Sequence, residues 1–212
     1  KMSKSKGNIL NPIEIINIYG VDQIRYYLMK EVSHGSDGSI SLKSLENCIN
    51  SDLANNYGNL CQRVFSFIKI NCNNKISGRT NISLIDKKLI NDTNNLTKNL
   101  RNEMDNQNIN NYIKSVINIS FLTNKYINDE EPWKLKKNNI EKMNNILFLS
   151  LEQIAKISIL LNPIIPESTT KVLNALKIKN EHRNLNFLDG KDLFVNEIEI
   201  EGLDILFKKF LT

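Results

Sequence analysis

Apolar residues return at intervals of three and four along most of the chain, the spacing of a buried helical stripe, and alternate strictly only near the C-terminus. Leu45, Ile49, Leu53, Leu60, Val64 and Phe67 predict one long amphipathic helix from about Ser41 to Ile70, broken by Ser77-Gly78. Upstream, Asn11-Pro12 reads as the cap and first residue of a short helix that stops at Gly20, and Asp22 reads as the cap of a second running to about Lys30. Between them and the long helix, Ser33 to Ser39 is loop, with the turn residues His34-Gly35-Ser36-Asp37-Gly38.

Downstream, helices are predicted over Leu84 to about Met104 and Ile109 to about Asn128, joined near Asp105 to Asn108. Glu130-Glu131-Pro132 interrupts, because proline disfavours helix in the residue before it and is tolerated in a first turn. A strongly apolar helix then runs from about Asn139 to Leu161. Asn162-Pro163-Ile164-Ile165-Pro166 ends it and starts another, Glu167 to Leu176. The tail offers one strand, Val195 to Ile200, and a short helix, Leu203 to Leu211. The expected fold is mainly α, an antiparallel helical bundle of about four or five helices with at most one or two short strands.

With 212 residues, 41% hydrophobic and 24% charged, the chain can bury a sizeable core, which argues against disorder. The 34 Asn, 30 Ile and 23 Lys against three Ala fit an AT-rich coding sequence, since the asparagines are interleaved with apolar residues rather than clustered. No run of about 18 apolar residues occurs and Lys1-Met2-Ser3-Lys4 is not followed by a signal-peptide core, so a cytoplasmic location without membrane contact is expected. Cys48, Cys61 and Cys72 form no C-x-x-C pair and read as free thiols, with no metal site.

The net charge of +5 divides unevenly: +3 over residues 1–75, zero over 76–132, +5 over 133–180 and −3 over 181–212. A polarised surface of this kind attracts a polyanion through counterion release, whereas a solvated lysine-rich face gives the same count.

Three features carry chemistry. The chain opens KMSKSKGN, three lysines and two serines on a glycine-containing loop. Ammonium groups there can close on the charge that develops on phosphate oxygens, serine hydroxyls can donate to the same oxygens, and Gly7 permits tight geometry. Asn59 and Arg63 lie four apart on the long helix; on a wheel set at Leu60, Leu53, Val64 and Phe67 fall within about 40°, Arg63 about 60° and Asn59 about 100° to one side. An amide and a guanidinium on the flank of an apolar stripe can hydrogen-bond a splayed base edge or a phosphate, although a plain surface pair has the same pattern. Trp133, the single tryptophan, follows Pro132 at a helix entry and precedes Lys134, Lys136 and Lys137. It can stack an unpaired base beside lysines that hold phosphates, or fill the core as a lone tryptophan usually does.

The opening octapeptide resembles the KMSKS signature loop of class I aminoacyl-tRNA synthetases. Val21-Asp22-Gln23-Ile24-Arg25-Tyr26-Tyr27-Leu28 is similar to the D-x-x-R-Y-Y segment that follows that loop in the methionyl, leucyl and cysteinyl members. Glu31-Val32, Gly35, Asp37-Gly38 and Ser41, then Asn50 to Asn55, Gly58-Asn59-Leu60, Gln62-Arg63, Pro132-Trp133 and Leu161 to Pro166 resemble the bacterial methionyl members in order and spacing. His34 departs from the family's common Phe. Leu193-Phe194-Val195-Asn196-Glu197-Ile198 stands where L-F-P-R-I is common, and the last thirty or so residues resemble the family weakly.

The resemblance implies a KMSKS loop and stem-contact region over 1–40 and an anticodon-binding bundle over 41–212. It makes Lys1, Met2, Ser3, Lys4 and Ser5 the ATP loop, with Lys4 stabilising the transition state. It makes Asn59, Arg63 and Trp133 the readers of a CAU anticodon, Trp133 stacking on the first base. ATP with Mg2+, methionine and tRNA(Met) would be the substrates, and the enzyme a monomer. Zinc would belong only to the portion preceding the loop and no cofactor to this one. The family's H-I-G-H motif is missing, since the only histidines are His34 and His182, so this stretch alone is expected to be inactive. A stand-alone RNA-binding module, a purely structural bundle, and the equivalent part of a leucyl or cysteinyl enzyme remain open at this point.

Overall fold

In the computed structural model, the described residues are 11–32, 40–188, 193–194 and 196–210. The KMSKS octapeptide and the loop carrying His34 lie outside them.

Helix α1 (Pro12–Tyr19) begins as its sequence predicts, with Pro12 in the first turn and the Asn11 side chain accepting from the Ile13 N–H at 3.0 Å. It ends at Gly20, whose φ of 92° is a conformation that side-chain-bearing residues rarely adopt. Helix α2 (Val21–Glu31) follows at once, and here the sequence reading needs correction. Gly20 is its cap residue, and Asp22, inside the helix and buried, accepts instead from the N–H of Ser168, far along the chain.

The long helix predicted over 41–70 is continuous but not uniform. It comprises α3 (Leu42–Cys48), a π-helical segment (Ile49–Gly58) and α4 (Asn59–Asn71). It closes well before Ser77-Gly78, because Asn73 and Asn74 take positive φ and turn the chain into β1 (Lys75–Ser77). The helix predicted over 84–104 is two, α5 (Leu84–Thr97) and α6 (Leu100–Asp105). Thr93 and Thr97 bond back to the carbonyls of Ile90 and Asn94, and a run of Asn, Asp and Thr with weak helix propensity completes the break. Helix α7 (Ile109–Glu130) ends at Glu131 with φ 46°, and α8 (Pro132–Leu135) is a single turn. Helices α9 (Ile140–Leu161) and α10 (Pro166–Ala175) match their predicted positions, and α11 (Leu185–Leu188) is another single turn.

The predicted tail strand is β2 (Glu197–Glu199), pairing antiparallel with β1, Ile76 opposite Ile198. No helix forms over the described part of 203–211. The Asn50 side chain donates to the Phe210 carbonyl at 2.8 Å and accepts from its N–H at 2.9 Å, occupying groups a helix would need. The irregular segment delivers Phe207 and Phe210 to the rings of Tyr57 and Tyr19, at 6.2 and 4.7 Å between centroids.

Side-chain bonds fix the helix directions. Tyr57 meets Ser158, Lys136 meets Asn71, Tyr126 meets Asp86 and Lys142 meets Glu130. Thus α4 and α7 run one way and α5 and α9 the other, the alternation of an up-and-down bundle. Helix α9 is the axis: from Met143 to Leu161 only Asn144 and Lys156 escape full burial. It is long and apolar enough to cross a bilayer, and 89% of its apolar window is covered by the rest of the fold.

The buried Tyr112 hydroxyl donates to the Leu160 carbonyl at 2.7 Å, and burial pushes its pKa from about 10 up to about 12. The raised value stabilises the fold fully below about pH 10, and that contribution is lost as pH rises through 12, because the unfolded chain ionises first. Tyr112→Phe is therefore expected to cost about 1 kcal/mol at neutral pH and to flatten the fall in urea midpoint between pH 10 and 12. An unchanged alkaline slope contradicts this.

Candidate nucleic-acid interface

The site grows out of the π segment. Its wide turn brings the Leu53 carbonyl so close to residue 58 that an added Cβ would lie 2.8 Å from that oxygen and 3.0 Å from the Phe207 ring, which accounts for Gly58. On its inner side Asp52 accepts from Tyr26 and Lys30 of α2, each at 2.7 Å, and from Ser51 at 2.8 Å. Burial, then the Asp52 carboxylate, hold the Tyr26 hydroxyl well above its ordinary pKa. Asn56 is gripped by Asn124 of α7, whose amide reaches its side-chain oxygen at 3.0 Å. The segment is thereby fixed to α2 on one side and to α7 on the other before α4 begins.

From Asn59 onward α4 is regular, so the wheel geometry holds there. Leu60 and Val64 are buried, Phe67 is partly so, and Asn59 and Arg63 are half-buried at the flank. The Arg63 guanidinium lies 5.5 Å from the centroid of the Trp133 ring, inside cation–π range, and donates to the Asn128 side-chain oxygen at 2.8 Å. Partial burial lowers its pKa, yet it stays cationic at neutral pH. Trp133 is 43% exposed. The core-filling reading fails on that number.

After the left-handed Glu131 and the buried Pro132, the one-turn α8 packs against α9 and brings Trp133 to Arg63 of α4. Among the nearby lysines, Lys134 pairs with Glu131 at 2.8 Å and Lys136 donates to Asn71 at 2.9 Å, whereas Lys137 is exposed. The acidic tail is not a separate pole: Glu197 meets Lys75 and Glu199 meets Lys177, at 2.8 and 3.0 Å.

Arg63 and Trp133, seventy residues apart, are thus in contact, and Asn59 is one helical turn from Arg63. Sequence reasoning missed Asn128 and Asn71, which hold Arg63 and Lys136; nothing distinguishes them in a chain with 34 asparagines. Lys1, Met2, Ser3, Lys4 and Ser5 lie outside the described residues. Together, an exposed indole, a cation stacked on it and an amide one turn away offer a platform with adjacent hydrogen-bonding groups, suited to an unpaired base.

The profile of the anticodon binding domain of methionyl tRNA ligase matches residues 78–210. The chain belongs to the methionyl-tRNA synthetase family. The profile of class I tRNA synthetases (M) matches residues 1–65 of this family member, so the two matches together take in both halves of the candidate site. The weakly similar tail lies within the anticodon-domain match as far as residue 210.

Methionine–tRNA ligases of Brucella suis and Rhizobium meliloti are 36% and 34% identical to it, over 86% and 100% of the chain. It spans 36% and 41% of their respective lengths. The crystal structure of Mycobacterium tuberculosis methionyl-tRNA synthetase bound by methionyl-adenylate superposes with a TM-score of 0.90 at 29% identity, covering 98% of this chain and 42% of that one. The apo form gives 0.88 at 26% identity, covering 96% and 42%. The mainly helical architecture with its small two-stranded sheet is therefore that of the methionyl-tRNA synthetases.

Proposed function

We propose that this chain is the C-terminal, tRNA-binding part of a methionine–tRNA ligase, which activates methionine with ATP and attaches it to tRNA(Met). In this reading Trp133 stacks the first anticodon base and Arg63 with Asn59 reads its edge. The carrying observation is the Arg63–Trp133 contact at 5.5 Å with the ring 43% exposed, on a bundle of the anticodon-binding family.

Lys1, Met2, Ser3, Lys4 and Ser5 supply the ATP loop, Lys4 meeting the charge that builds on the α-phosphate as pyrophosphate leaves. The methionyl-adenylate held by the M. tuberculosis relative is the product of that chemistry and supports the assignment. ATP would enter with Mg2+, and the portion of the ligase preceding the loop would hold methionine and any zinc. The experiment is methionine-dependent exchange of pyrophosphate into ATP by the full-length ligase, together with charging of a tRNA bearing CAU against one with an altered anticodon. Exchange with methionine alone among amino acids, and charging lost on the altered anticodon, are expected. Exchange driven by leucine or cysteine overturns the reading.

A further inference from the structure

A cavity of about 480 Å³ lies between the C-terminal end of α5 and α9, and anticodon reading leaves it unused. Ser158 of α9 meets Tyr57 on the helix that leads into α4. Lys156, two residues earlier and about 200° round the α9 axis, lines the cavity instead and donates to Asn94 of α5. The volume is that of a small-ligand site. Ile90, Leu100, Leu185 and Leu188 supply an apolar wall.

The polar groups of the cavity are out of balance. Among the described residues that line it, Arg79, Lys98, Arg101 and Lys156 stand against the single carboxylate of Glu152. Glu152 is engaged by Arg79 at 2.9 Å, and Arg101 donates to Asn186 at 2.8 Å. The two lysines have neutral partners: Lys98 donates to Asn95 at 2.8 Å and Lys156 to Asn94 at 3.0 Å. Lys156 is half-buried, and burial lowers its pKa against the opposing pull of Glu152. A charge withdrawn from water is ordinarily paired, so this ammonium is set to receive an anion. Gln153, only 3% exposed, presents the complementary need. Its side-chain oxygen has no hydrogen-bond partner among the described residues, a cost that a ligand donor would remove.

We propose that this cavity binds a small organic phosphate of nucleotide size, with the phosphate between Lys98 and Lys156, an apolar face on the leucine wall and one N–H or O–H group donating to Gln153. A phosphate monoester carries close to two negative charges at neutral pH and answers both lysines, whereas a carboxylate answers one. Rotation of the terminal amide of Gln153 brings its oxygen to the ligand, a torsion with broad freedom. The site goes beyond the function proposed above and uses none of the residues assigned to anticodon reading.

The test uses the full-length ligase with its active site saturated by a non-hydrolysable methionyl-adenylate analogue, so that AMP, the probe, reports on this cavity. Calorimetric titration should show one further AMP per chain with Kd below about 1 mM, and adenosine, which lacks the phosphate, should bind about tenfold more weakly or less. Lys156→Met should weaken AMP about tenfold or more and leave adenosine within about twofold, while Lys156→Arg keeps most of the affinity. Because Lys156→Met removes a half-buried charge, the ligand-free protein should melt no lower than wild type. If that variant does not fold, Lys98→Met, at an exposed position, should show the same selective loss of AMP. Absence of the further AMP, equal losses for AMP and adenosine, or unchanged AMP binding in both methionine variants overturns the proposal. Failure of the analogue to bind tells against the proposed function and not against this site, whose AMP is the one that Lys156→Met removes.

Discussion

Replacing Lys4 by Ala in the full-length ligase is expected to slow methionyl-adenylate formation by about 10² to 10³, roughly 3 to 4 kcal/mol of transition-state stabilisation, with methionine binding nearly unchanged. As the amino-acid carboxylate attacks the α-phosphate, negative charge gathers on phosphate oxygens and on the departing pyrophosphate. A lysine that meets this charge only in the transition state contributes little to the ground state. Its loss therefore appears in the rate constant rather than in substrate affinity. Lys1→Ala should be the weaker change, because the family resemblance assigns Lys4 the transition-state role. Pre-steady-state activation measures the constant directly, and an unaltered value for Lys4→Ala removes the catalytic role assigned to it.

Helical periodicity located the main helices because each buries an apolar stripe in the shared core, and a stripe is a local property of sequence. Its errors have tertiary causes. Asp22 has the right residue type and place for a helix cap, but the N–H it satisfies belongs to α10, 146 residues along the chain. The π segment keeps apolar residues at three- and four-residue spacing, so its wider turn leaves no mark except Gly58. Leu203 to Phe210 has helical spacing, yet it forms no helix, and reciprocal bonds from Asn50 take up the backbone groups of Phe210. Compositional bias concealed the rest. Asn50, Asn56, Asn71, Asn124, Asn128 and Asn145 all carry bonds between elements, and a count of 34 makes each look like background. The candidate site was readable only through the family resemblance: by pattern alone an Asn–Arg pair one turn apart reads as a surface pair and a lone tryptophan as core.

Trp133→Ala is expected to weaken binding of a CAU stem-loop by roughly 1 to 3 kcal/mol and to shrink its preference over stem-loops with altered anticodons. The ring is exposed, so its removal should leave the bundle folded, and its face is what an unpaired base would gain. Arg63→Ala should reduce the same preference, since the guanidinium that lies over the ring is also the group proposed to read the base edge. Asn128 would then lose its partner at the same time. Lysines beside the site should behave differently. Lys137→Ala removes a diffuse phosphate contact, so affinity should fall alike for every RNA and the salt dependence should flatten by somewhat under one unit. Lys136→Ala should show the same uniform loss with a small stability cost, because its ammonium also ties α8 to Asn71 at the end of α4. The comparison is a titration of these variants with matched and mismatched stem-loops at two salt concentrations. If folded Trp133→Ala loses affinity equally for both RNAs, the ring grips RNA without reading the anticodon, and base recognition must be sought elsewhere on the bundle.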